Sequence, residues 1–367
     1  MINSLQTNFF HNGYSNTNNY KTSFGRSIKS NQVGLIKPEA AHKPNLPLNK
    51  ALLFTMAILA AQNISLTNIP YNHPSAAIEE RTEIDFDADD TDIYISDNFT
   101  IDTAKTMEEK EINTIAHRGY SAVAPENTIP AFIAAAENGF DGVECDIAWT
   151  KDSIPVLLHD ETINRTARTE NGWKFIFPKN CSDFTYKELL KYDFGSWKSP
   201  EFEDTKIPTL FDFLKCCGDY NLKPYIELKE TSNFDAAKAE MLVNAVKESG
   251  LEDSVTWISF NADYLKLISE KMPNCRLGYL TSEFSADKTI SALQTLKTDD
   301  NEVFLNIKAI AMDVMSSKLL ANAGFYFEAW TVDSDKELDQ LFSNNCKAIT
   351  TNQITGYDVE EHFANEK

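Results

Sequence analysis

The chain has 367 residues, 42% hydrophobic and 11% aromatic, enough apolar material for one large domain or two ordinary ones and too much for a disordered chain. Its 34 basic and 55 acidic side chains leave a formal charge of −21, which disfavours broad binding to nucleic acid. Thirteen Gly and thirteen Pro are too few for a collagen-like or low-complexity protein.

The charge divides the chain. Residues 1–78 hold six basic side chains against one acid, net +5, whereas residues 79–111 hold thirteen acids against three bases, net −10. The rest carries −16. We therefore expect a basic polar leader, mostly disordered, an acidic connector, and a domain over 112–356, with a short C-terminal tail at 357–367.

The leader has one apolar run, 51–61, whose length suits a signal-peptide core and falls short of the roughly 20 residues of a transmembrane span. An export signal and a short helix in the leader are equal readings, so exported and cytoplasmic addresses both stay open. In the connector, Asp85, Asp87, Asp89, Asp90 and Asp92 invite comparison with a calcium loop. Asp90 and Ser96 stand where an EF-hand needs Gly and Glu, so a solvated acidic linker is the better reading. The six cysteines include no CxxC pair and no His at zinc spacing, and read as core thiols.

From residue 114 short apolar runs alternate with amphipathic stretches. Strands are predicted at 114–117, 142–147, 224–228, 254–259, 275–280, 307–312, 326–331 and 347–350, and helices at 127–137, 209–219, 234–249, 262–271 and 334–344. Eight strands alternating with helices point to an α/β fold of the (β/α)8 TIM-barrel type, with functional groups at the carboxyl ends of the strands. An open doubly wound sheet is the alternative, but no GxGxxG loop follows an early strand.

Within that barrel the chemistry-bearing residues are few. Of six histidines only His117 and His159 fall inside it, each ending a predicted extended run. Between them, Val143-Glu144-Cys145-Asp146-Ile147 alternates so that Glu144 and Asp146 share one face of a strand. Two adjacent acids in a largely apolar barrel repel each other unless a cation or shared proton neutralises them, and oxygen ligands suit Ca²⁺, Mg²⁺ or Mn²⁺. Lys151-Asp152-Ser153 signals a turn, so that Asp146 and His159 are expected to face each other across a hairpin. By the same parity Glu227 supplies a third carboxylate and Lys229 a cation. Arg118, beside a strand-end His and before a helix start at 127–128, is placed to hold a phosphate. Asn127 or Thr128 is expected to cap that helix.

These segments together resemble the glycerophosphodiester phosphodiesterase family. The likeness rests on IAHRG (115–119), PENT with a following AF (125–132), GVECDIAWTKD (142–152), PVLLHD (155–160), FGSW (194–197), IPTL (207–210), IELK (226–229), Ser259-Phe260 and AWTVD (329–333). The resemblance implies a TIM-type barrel with an insertion, about 161–206, after the second strand and its hairpin. It implies metal-dependent hydrolysis of a small glycerophosphodiester to glycerol 3-phosphate and an alcohol. By motif, Glu144, Asp146 and Glu227 would ligate one divalent cation, Ca²⁺ or Mg²⁺, and His117 and His159 would be the acid/base pair. Arg118 and Lys229 resemble the phosphate holders, Glu126 an orienting carboxylate, and Trp330 an aromatic wall. Two positions depart from the family pattern: Ser153 replaces a frequent turn glycine, and Thr351-Asn352 replaces a usual Thr-Asp at the last strand end.

Two other readings are a phospholipase D-like or C-like hydrolase of lysophospholipids, and a barrel that only binds phosphodiesters. The first needs an apolar landing surface, for which Phe175-Ile176-Phe177 is the candidate. We expect that run to be insertion core instead.

Overall fold

A computed structural model of the protein describes residues 112–229, 234–344 and 346–365; the leader, the acidic connector and the expectations attached to them lie outside the described residues. Strands β1 (Asn113–Ala116), β2 (Gly142–Trp149), β3 (Pro155–Leu157), β4 (Lys223–Leu228), β5 (Thr256–Ser259), β6 (Arg276–Thr281), β7 (Glu302–Lys308), β8 (Phe327–Trp330) and β9 (Ala348–Thr351) follow in chain order. All but β3 pair in parallel, in the ring β1-β2-β4-β5-β6-β7-β8-β9, and β9 pairs back onto β1. This is a closed eight-stranded barrel wrapped by helices, the expected TIM-type architecture.

The helices are α1 (Ile129–Glu137), the short α2 (Tyr186–Leu189), α3 (Leu210–Tyr220), α4 (Ala236–Ser249), α5 (Ala262–Lys271), α6 (Ala286–Leu296), α7 (Val314–Asn322), α8 (Asp335–Ser343) and α9 (Gly356–Asn365). Local chemistry sets their ends. Thr209 and Asp212 form a capping box at the start of α3, and α4 runs from an Asp235 cap to Gly250 in the left-handed conformation.

Side-chain alternation decides what faces inward. On β2, Val143, Cys145 and Ile147 pack in the main core shared with the helices, which turns Glu144 and Asp146 to the barrel interior. Below them the interior holds an apolar layer of Ile115, Tyr225, Ile258, Leu280, Phe304 and Ala348. The amino-terminal end is closed by Arg276, which pairs with buried Glu328 and bonds the Tyr225 hydroxyl at 2.9 Å and Thr256 Oγ1 at 2.8 Å. Its guanidinium lies 4.4 Å from the Phe304 ring centroid. The interior is filled from below, so only the carboxyl ends of the strands open onto solvent.

The structure corrects several expectations. The seventh strand is Glu302–Lys308, earlier than predicted, because 309–311 tightens into a 3₁₀ turn. The end of the chain forms a helix, α9, over residues expected to be a tail. Asn127 and Thr128 give α1 no side-chain cap: the Thr128 hydroxyl donates to the Pro125 carbonyl instead. The insertion has its own small core of Val156, Leu158, Ile163, Ala167, Cys181, Leu189, Phe194 and Ile207. Of the Phe175-Ile176-Phe177 run only Phe175 joins it, stacked edge-on against Tyr192 at 5.0 Å, while Ile176 and Phe177 are exposed.

The turn after β1 shows why the chain has glycine there. Gly119 sits at φ +76°, and a Cβ on it would lie 2.6 Å from Ala131 Cβ and 2.7 Å from the Ala131 carbonyl carbon. The strain is therefore both conformational and steric. Gly119→Ala should lower unfolding stability by about 2 kcal/mol or more in denaturant titration; a loss within about 0.5 kcal/mol, the range of an ordinary surface change, would mean that α1 can move aside.

Candidate active site

Two strands and a turn assemble the carboxylates. The parallel register Asp146↔Glu227 sets β2 beside β4, and Glu144, Asp146 and Glu227 present ligand oxygens all within 4.8 Å of one another. All three side chains are buried. Burial, and then the charges of Asp146 and Glu227, push the Glu144 carboxyl well above its usual range. Burial and the Asp146 charge push Glu227 up to about 7. Burial also opposes ionisation of Asp146, but Lys229, Arg118 and His159 outweigh it and hold that carboxyl below its usual value.

Their partners explain the split. Lys229 Nζ lies 2.9 Å from Glu227 Oε1 and 3.3 Å from Asp146 Oδ1, so the cation expected to hold phosphate is placed against the carboxylates. Asn127, at φ +54°, donates from Nδ2 to Asp146 Oδ2 at 2.8 Å and accepts from the Asp146 amide at 3.2 Å. The residue expected as a helix cap thus fixes a carboxylate. Glu144 Oε2 accepts from the Arg118 amide at 2.9 Å, while Oε1 is buried without a hydrogen-bond partner.

The orphaned oxygen, the all-oxygen donor set and the upward shifts of two carboxyls all describe a site short of positive charge. A hard divalent cation fits it. Water would satisfy the lone pair but leave the negative charge in place, and protonation relieves the charge only by neutralising the carboxyls one at a time.

Two imidazoles flank the cluster, each oriented through Nδ1. His117 follows β1, and its Nδ1 lies 2.8 Å from Asn352 Oδ1. Asn352 donates from its backbone amide at 2.8 Å and from Nδ2 at 2.7 Å to the two oxygens of Asp333. That turns its carbonyl toward His117, so Nδ1 carries the hydrogen and Nε2 offers a lone pair. The departure from Thr-Asp thereby gives His117 a neutral acceptor. Burial and then Arg118 lower the His117 pKa, against the opposing pull of Asp146 and Asn352.

His159 Nδ1 lies 2.8 Å from Asp160 Oδ1. The hairpin pairs Ile147 with Leu157, and Leu158 donates to the Asp146 carbonyl. Leu158 is therefore opposite Asp146, and His159 stands one residue beyond the expected position. Ser153 adopts φ +60° in the hairpin turn, the conformation that the frequent glycine would favour.

Arg118 has φ +57° and reaches Glu126 Oε1 at 2.9 Å and Asp146 Oδ2 at 3.4 Å. Trp330 ends β8, half-buried, edge-on to Phe260 at 5.6 Å and anchored by an indole N–H bond to the Asn306 carbonyl. All nine residues selected from the sequence thus lie at the carboxyl-terminal mouth of the barrel.

Residues 117–355 match the Glycerophosphoryl diester phosphodiesterase family. Over 237 residues, 65% of this chain and 92% of the other, the chain is 32% identical to a glycerophosphodiester phosphodiesterase of Caldanaerobacter subterraneus subsp. tengcongensis. It is 41% identical over 120 residues to human glycerophosphodiester phosphodiesterase 1, covering 32% of this chain and 34% of the human protein. A solved Oleispira antarctica phosphodiesterase in complex with the product sn-glycerol-3-phosphate aligns with TM-score 0.60 and 25% identity, over 70% of this chain and 97% of that one.

The sequence reading missed the residues that orient the site. Arg165, in the insertion, bonds both oxygens of Glu126 at 2.6 and 2.8 Å and both oxygens of Asp160 at 2.8 and 3.0 Å. Hydrogen bonds from Arg165 hold the Asp160 carboxyl at about 2, against partial burial. The one signal was the position of an arginine six residues after a strand-end His. Arg165→Met should release the insertion from the barrel mouth. Amide exchange across 161–206 should quicken while global stability falls by only about 1 kcal/mol or less, because the guanidinium is largely solvated. Unchanged exchange in that segment would show that its small core alone holds it.

Proposed function

From the premise that the chain belongs to the glycerophosphoryl diester phosphodiesterase family, we propose that it hydrolyses glycerophosphodiesters to glycerol 3-phosphate and an alcohol by two-histidine acid/base catalysis at a divalent-metal site. The phosphodiesterase activity itself follows from the family and its named relatives. The observation that carries the mechanism is the orphaned Glu144 oxygen in a three-carboxylate cluster flanked by two oriented imidazoles.

A phosphodiester resists hydrolysis because its charge repels nucleophiles and its alkoxide leaves poorly. Glu144, Asp146 and Glu227 would hold one divalent cation, which when bound supplies Lewis-acid neutralisation of the phosphoryl oxygens. Arg118 adds a fixed positive charge at the same mouth, steadied by Glu126. His117 has its Nε2 lone pair free and a lowered pKa, which suits it to remove the proton of the nucleophile. His159, its ring fixed through Nδ1 by the Asp160 carboxylate, is left with Nε2 to pass a proton to the leaving oxygen. Trp330 and Phe260 provide an apolar wall against which a glycerol carbon face can lie. Neither Ca²⁺ nor Mg²⁺ is preferred by the donor set, which is all carboxylate.

Alanine at either His117 or His159 should lower turnover by about 10²- to 10⁴-fold with little loss of stability. A p-nitrophenyl diester, whose leaving group needs almost no protonation, should rescue the His159 variant and leave the His117 variant slow. Equal rescue of both would overturn the division of labour.

Metal binding should displace the proton from Glu227, whose pKa is about 7 in the metal-free protein. Calorimetric affinity for Ca²⁺ or Mg²⁺ should thus rise with pH from about 5 to 7, by about tenfold per pH unit for the Glu227 proton and more steeply where Glu144 also gives up a proton. Below pH 7 Glu227→Gln should bind more weakly with a shallower slope, and Glu144→Gln should lose the metal-induced rise in melting temperature. A wild-type affinity independent of pH in that window would remove Glu227 from the ligand set.

A further inference from the structure

Two groups of exposed apolar side chains lie in segments that follow strands of the barrel. In the insertion, Trp173, Ile176 and Phe177 are 72%, 89% and 75% exposed. At the turn after β7, Ile310, Val314 and Met315 are 81%, 54% and 66% exposed. In the ring of eight strands, β2 and β7 lie four places apart in either direction, so these two sets stand on opposite sides of the opening. Single exposed hydrophobes are ordinary, but grouped ones mark a contact surface.

The insertion set is held in place by an ordered loop. Phe175 is pinned in the insertion core against Tyr192, Asn164 Nδ2 bonds the Phe177 carbonyl at 2.8 Å, and Asn164 Oδ1 accepts the Lys179 amide at 2.8 Å. The next residue, Arg165, is the one bonded to Glu126 and Asp160 in the site. The loop therefore presents Trp173, Ile176 and Phe177 to water from the rim of the active site, with their backbone already fixed.

The surrounding charges say what would cover them. Between Gly172 and Ser182 the chain has Lys174 and Lys179 and no acid, both exposed, and exposed Lys308 ends β7 beside the second set. The domain as a whole carries −16. Indole and phenyl rings interleaved with lysines suit the boundary of a phospholipid bilayer, where the rings enter the acyl region and the ammonium groups meet the lipid phosphates. Acids do lie nearby, Glu170 and Asp183 flanking the loop and Asp313 preceding Val314, so the apolar side chains, with Lys174 and Lys179 among them, carry the contact, and charges farther than about 8 Å are screened at physiological salt. We propose that the barrel docks mouth-down on a phospholipid bilayer through the Trp173–Lys179 loop and the turn after β7. The docking does not depend on which diester is cleaved.

Flotation of the full chain with vesicles of phosphatidylcholine and phosphatidylglycerol tests this. The wild type should float, Trp173→Ser/Ile176→Ser/Phe177→Ser should bind at least about tenfold more weakly, and Ile310→Ser/Met315→Ser should weaken binding by a similar factor. Melting temperature and turnover of soluble glycerophosphocholine should stay near wild type in both variants, showing that the fold and the site are intact. No binding by the wild type would overturn the proposal. So would undiminished binding by the triple variant, which would assign binding to the leader. Wild-type self-association abolished by the same triple substitution would give the surface to a second copy of the chain and overturn it as well.

Discussion

Three buried carboxylates with oxygens within 4.8 Å of one another impose the constraint from which the rest of the mouth follows. Such a group cannot remain fully ionised in a low-dielectric interior without positive charge nearby. Lys229 and Arg118 supply part of it, and both lean on Asp146. The charge is therefore compensated unevenly: Asp146 is held ionised, while Glu144 and Glu227 are driven toward protonation. A divalent cation held by the three carboxylates would satisfy the remaining demand. The apolar layer beneath the site, closed off by the Arg276–Glu328 pair, keeps water from the carboxylates and sharpens that demand.

The same charges couple the insertion to the chemistry. Glu126 is shared between Arg118 on the barrel side and Arg165 on the insertion side. Arg165 in turn grips Asp160, the partner of His159. Arg118, His159 and the insertion thus belong to one hydrogen-bonded network, and displacing the insertion disturbs both ends of it. On the far side His117 is oriented by an independent chain through Asn352 to Asp333. Two imidazoles in similar positions therefore receive different partners, one a neutral amide oxygen and the other a carboxylate.

The mouth also combines two kinds of surface. Its carboxyl-terminal rim combines a polar, charge-crowded centre with apolar side chains on two opposite sides. The charge-crowded centre and the exposed apolar side chains are made of separate residues. Among the described residues no helix is long and apolar enough to cross a membrane.

The sequence by itself determined the alternation that makes the barrel and most of the site. Period-two patterning on β2 puts Glu144 and Asp146 on one face whatever surrounds them, and IELK does the same for Glu227 and Lys229, because the pleat is a local property. Rare residues ending strands marked His117 and His159 for the same reason. What only the tertiary structure decided were contacts between segments distant in sequence. Asn127 chose Asp146 over a helix cap, Asn352 reached His117 across 235 positions, and Arg165 joined two carboxylates from different loops. The exposure of Ile176 and Phe177 belongs to the same class: an apolar run carries no local sign of whether a small insertion has room to bury it. In this insertion the space was taken by Phe175 and its neighbours, and the residues beside it were left at the surface.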